Sequence, residues 1–219
     1  MTEDLTEKER AELTAVMYNN IFTNEVATGA VCELLGLLEE RSVYRHKAKW
    51  WGGKCREEMR GYNRMLNRRT GWRLDYVADL NDVYDDVVKD DVWKLGNVVR
   101  MRLGKWGCRD TELTARMWLA RMLVNCALHN NDHCFDGFPH LRHYHRRFAW
   151  MRLTRLANSV VRLELELMRM GALDVELEER LEKDVMVETG FRALAAKLHD
   201  GDRIIEVCNR HAEEWDGEV

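Results

Sequence analysis

Residues 126–145, CALHNNDHCFDGFPHLRHYH, decide how the rest of the chain is read. They hold five of the eight histidines, two of the six cysteines and the only proline. Upstream, Leu113, Met117 and Val124 fall on one side of a helix and Trp118 and Met122 on the other. Downstream, Phe148, Trp150, Met151, Leu153, Leu156, Val160, Val161 and Leu163 do the same. A helix that is apolar round most of its circumference is buried between neighbours. The stretch therefore reads as the crossover between two central helices, over about 110–129 and 139–170. Asn130-Asn131 ends the first, and Pro139 suits the first position of the second, where its missing N–H costs nothing.

The fold expected around that crossover is all-α: a single-domain bundle of about seven helices spanning 1–219. One proline and 14 glycines in 219 residues leave too few turns for an all-β chain. The 46% hydrophobic and 33% charged composition is that of an ordinary globular domain. Thr6 and Glu9 form a capping box. From there Leu13, Val16, Met17, Ile21, Ala27, Val31, Leu34 and Leu38 keep helical spacing to about Glu40. So long a helix is unusual, and Asn19, Asn20, Thr23 and Asn24 mark a break near 19–25. Tyr44, Ala48, Trp51, Cys55, Met59, Tyr62 and Leu66 give a second helix over about 42–70. Its phase survives Gly52-Gly53, at about 1 kcal/mol per glycine. A third helix runs from about Arg73 to Leu103 and ends at Gly104–Gly107. Asp110 caps the fourth. Gly171 ends the fifth, Asp174 caps a sixth running to about Leu198, and Asp202 caps a short seventh over 204–215.

Charge is strongly segregated. Residues 41–73 carry 11 Lys or Arg against two Glu, or +9, and residues 74–92 carry one Lys against seven Asp, or −6. Lys49, Arg56, Arg60, Arg64 and Arg68 form a row opposite the apolar stripe of the second helix. If this helix and the third pack as a hairpin, the basic and acidic rows point away from each other. Like charges four apart disfavour a helix, so a partner is expected for them. That partner is first of all a protein; the basic row with Trp50, Trp51 and Tyr62 also suits nucleic acid. A solvated face, or one covered by the acidic 174–188 helix, is the plainer account. Opposite faces on one molecule could also pair between copies as a homo-oligomer.

His129, His133, Cys134, His140 and His143 are the candidate metal ligands, since imidazole with thiolate suits zinc or another divalent transition metal. No H-E-x-x-H or E-x-x-H supports them. If Asn130-Asn131 ends the helix, the spacing of His129 and His133 loses its meaning. His199-Asp200 resembles the dipeptide of the metal-dependent HD phosphohydrolases, but only 19 residues follow and the further ligands are missing. A cysteine nucleophile such as Cys134 beside His133 or His140 lacks any flanking signature. No phosphate-binding glycine loop occurs either.

With no acceptable catalytic constellation, the first reading is a non-enzymatic interaction or regulatory protein that uses its charge-segregated faces. A metal-dependent enzyme or metal-stabilised domain using 126–145 is the second, and a nucleic-acid-binding protein using 49–68 the third. The acidic start MTEDLTEKER does not read as a signal peptide, and no uninterrupted apolar run predicts a membrane span. Six scattered cysteines without a C-x-x-C read as reduced thiols of a cytoplasmic protein.

Overall fold

The computed structural model describes residues 6–41, 46–69, 80–133, 136 and 149–216, with the side chains at 7, 9–18, 61–69, 80–82, 149–152, 208 and 211–216 excepted. Nine helices and no strands occur among the described residues. They are α1 (Glu7–Glu40), α2 (His46–Arg69), α3 (Leu80–Val87), α4 (Lys89–Lys105), α5 (Thr111–His133), α6 (Ala149–Arg169), α7 (Val175–Glu182), α8 (Val185–Leu198) and α9 (Gly201–Asp216). The all-α reading holds, and α5 is central: it packs on α1, α4 and α6. Trp118, Met117, Leu113 and Leu123 of α5 are fully buried, with Phe22, Leu34 and Leu38 of α1 and Leu153 and Leu156 of α6. Pro139 lies outside the described residues.

The expected break in α1 is absent: the helix runs unbroken for 34 residues. Asn19, Asn20, Thr23 and Asn24 are buried inside it. Such residues weaken a helix when their side chains compete for nearby backbone groups. Here Asn19 and Asn24 bond across to another helix instead, so the local competition is largely removed. The stretch Asn19–Glu40 is also long and apolar enough to cross a membrane, with a mean hydropathy of 1.4, although charges interrupt it. In this fold 67% of that window is buried against the other helices.

Four further boundaries differ from the sequence reading. Asn130 and Asn131 do not end α5, which continues to His133. The third segment is two helices, broken at Val88, whose φ of −133° leaves the helical region. The 174–198 segment is also two helices. Asp184 accepts from the Met186 and Val187 amides at 3.0 and 3.2 Å and starts α8 afresh, as Asp174 does for α7. Asp200, not Asp202, accepts from the Arg203 amide at 3.0 Å at the start of α9. The continuous α2 and the Asp110 cap are as expected: Leu113 donates to Asp110 Oδ1 at 3.0 Å. Among the described residues, the conditional hairpin of α2 with the third segment is not a principal packing. α2 packs chiefly on α6, and α3 packs on α9. The acidic segment is met from the C-terminal side, by Arg210 at 3.4 Å from Asp86 and by Lys197 against Asp91.

Candidate functional site

Because α2 leans on α6, its buried face is Ala48, Cys55 and Met59, and Lys49 and Arg60 are left exposed. Arg56 is half-buried and pairs with Glu39 of α1. Trp50 is 51% exposed, with the Lys54 ammonium 5.7 Å from its ring centre. The side chains of Arg64 and Arg68 lie outside the described residues. No described ion pair joins the 174–188 segment to the described part of the row: its partners are Arg102 at 3.2 Å, Arg121 at 2.7 Å and Arg192 at 2.6 Å. Carboxylates of α1 stand beside the row instead.

The same edge of α2 forms one lip of a cleft of about 490 Å³. Phe22 and Val26 of α1, Met59 of α2, and Leu119 and Leu123 of α5 give it an apolar floor. Arg56, Arg60 and Arg116 face Glu25 and Glu33 around it, which makes the lining 3 − 2 = +1. Arg116 Nε donates to Glu112 at 2.7 Å and its Nη1 to the Glu33 carbonyl at 3.1 Å. Burial pushes the Glu25 carboxyl above its ordinary range, towards the neutral form. Cys32, in the wall, lies 3.9 Å from the Met59 sulfur.

At the end of α5 the helical spacing of the two candidate histidines is kept. His129 and His133 share a face, ring centres 4.6 Å apart, and His133 Nδ1 meets Asp136 at 3.1 Å. Cys134, His140 and His143 lie outside the described residues. Among the described residues, no group of three or more His, Cys, Asp or Glu side chains is placed to hold a metal ion. The histidine that joins the site is His199, at the C-terminus of α8. Its Nδ1 lies 3.0 Å from Asn130 Oδ1 and its Nε2 3.9 Å from Cys126 Sγ. The Asn130 amide nitrogen donates to Asn19 Oδ1 at 2.6 Å and to Thr23 Oγ1 at 3.2 Å, leaving its oxygen to accept from His199 Nδ1–H. Asn19 and, at 3.0 Å, Thr23 donate to the Leu198 carbonyl, a group every helix end leaves unpaired. This polar layer fastens α8 to α1 and α5.

A thiol, an imidazole and an orienting amide in a row suggest nucleophilic chemistry, but the electrostatics oppose it. Burial pushes the Cys126 thiol up to about 11, and burial together with His129 lowers His199. Both groups are held neutral, whereas a reactive cysteine needs its thiolate stabilised.

A second ionic cluster lies where α5, α6 and α7 meet. Arg121 Nε stands 3.0 Å from Glu164 and its Nη2 2.7 Å from Glu182, while Glu178 is only 4% exposed. Burial, a hydrogen bond to Glu164 and repulsion from it push the Glu178 carboxyl up to about 8.

The sequence reading found Arg56 and Arg60 but missed Arg116, Glu25 and Glu33, which reach the cleft from other helices. It also missed His199 as the partner of Cys126. Comparison with known proteins finds no matching family model, no matching curated protein and no matching solved structure.

Proposed function

We propose that this chain is a non-enzymatic helical interaction protein that takes an acidic protein partner on the α2 face. One observation carries the reading: Arg60 lines the cleft beside α1, and exposed Lys49 and Trp50 continue the cationic, aromatic surface along the same helix. A cationic face with an aromatic side chain next to an apolar recess has the composition of a binding hot spot. Protein is favoured over nucleic acid because Glu39, paired with Arg56, and exposed Glu33 interrupt the basic surface, which then offers separate cationic points and not the continuous track a phosphate chain follows. Buried Cys55, with its thiol pushed up to about 12, packs as an apolar group, which suits the reducing cytoplasm. A photo-crosslinking residue at Lys49, compared with one at exposed Trp93 on α4, tests the reading. The expected result is an acidic protein cross-linked from position 49 and not from 93. Cross-linking to nucleic acid, to a second copy of the chain, or equally from both positions would overturn it.

A metal-dependent role for the end of α5 is the second reading, supported by His129 and His133 sharing one face with Asp136 beside them. Stoichiometric zinc in untagged protein, lost in His129→Ala/His133→Ala, is its expected signature; sub-stoichiometric metal in the wild type removes it.

A further inference from the structure

The size of the cleft separates it from the surface around it. The cleft measures about 490 Å³. It falls within the range of small-molecule sites, roughly 300–1,000 Å³. Its chemistry is divided: Phe22, Val26, Met59, Leu119 and Leu123 below, guanidiniums at the edge. A guanidinium carries five N–H donors, so Arg116, which spends Nε and Nη1 on Glu112 and Glu33, keeps further donors for an oxyanion.

We propose that this cleft binds a small amphiphilic anion, with a single hydrocarbon chain over the apolar floor and a carboxylate or phosphate head held by Arg56, Arg60 and Arg116. A cationic or uncharged head would leave the arginines without a new contact, and would bring a cation against them. The proposal does not rest on the partner reading, since binding of a pure amphiphile requires no partner.

Gly29 supplies a clean test. It lines the cleft from within α1, and a Cβ built there meets no atom within 4 Å. A side chain can therefore start from Gly29 unobstructed, Gly29→Leu is expected to crowd the cleft, and leucine is the better helix former. Calorimetric titration with dodecanoate, dodecyl phosphate, dodecanol and dodecyltrimethylammonium, all below micelle formation, reads the result. Wild-type protein is expected to bind one dodecanoate or one dodecyl phosphate per chain, and the other two at least about tenfold more weakly. A preference between the two anions tells a carboxylate source from a phosphate one. Arg60→Glu is expected to weaken anion binding by about tenfold, and Gly29→Leu to abolish it while the melting temperature holds or rises. Absence of saturable anion binding, equal binding of the cationic amphiphile, or unchanged binding by Gly29→Leu would overturn the proposal.

Discussion

A buried amide costs free energy unless both its ends find partners, and α1 shows both cases in adjacent residues. Asn19 is paired with Asn130 and Leu198, whereas fully buried Asn20 has no hydrogen-bond partner among the described residues at either end of its amide. An unpaired buried polar group costs about 1–3 kcal/mol. Asn20→Leu is therefore expected to raise stability by about 1 kcal/mol or more in chemical denaturation. Asn130→Leu strips partners from Asn19, Thr23 and His199 and is expected to cost about 2–3 kcal/mol. Equal effects of the two substitutions would contradict this account of the polar layer. From sequence the two asparagines looked alike, because what separates them is a carbonyl and an amide more than a hundred residues away.

Glu178 gives a residue-scale prediction in pH. Its carboxyl titrates at about 8 in the fold, above its ordinary value of 4.5. The native state thus holds a proton that the unfolded chain has released. The stability from this group is complete below about pH 4.5 and falls as pH rises towards 8, by on the order of 1 kcal/mol per unit. Denaturation of Glu178→Gln between pH 5 and 9 is expected to show a flatter decline than the wild type; parallel curves would exclude the shared proton.

At the scale of elements, periodicity and the caps at Asp110 and Asp174 were legible in the sequence, and the interruptions and the caps at Asp184 and Asp200 were not. The α2 stripe carried through Gly52-Gly53 because Cys55 and Met59 keep the buried face in phase. Gly53 is exposed and a Cβ there meets nothing within 4 Å, so Gly53→Ala is expected to stabilise by about 0.5–1 kcal/mol. At Gly190 in α8 the added Cβ would stand 3.1 Å from Leu95 Cδ1. Gly190→Ala is therefore expected to gain less, and thermal melts of the pair compare open and closed sites directly. The divisions at Val88 and Asp184 escaped notice for different reasons. Val88 is a buried apolar residue whose type signals no break. Asp184 looked like one more acid in an acidic helix, although its cap and its contact with Arg102 make it a start point.

For the whole molecule, the sequence made the all-α class and the central place of α5 legible, because both depend on patterns within a segment; α6 packs chiefly on α2 and α5 and leaves Val161 exposed. The candidate surface was half legible. Lys49, Arg56 and Arg60 lie on one helix and could be lined up by spacing, but α2 docks on α6, and only that docking opens the cleft to α1 and α5. The histidines drew attention by density, yet the one that reaches Cys126 comes from the far end of α8. The central claim is that binding lies on the α2 face and not at the histidine end of α5. Quantitative capture of the cross-linked partner by wild type, by Lys49→Glu/Arg60→Glu and by His129→Ala/His133→Ala, across a salt series, tests it most directly. The account predicts that charge reversal on α2 removes binding and its salt dependence while the histidine variant binds as the wild type does; the opposite pattern would contradict it.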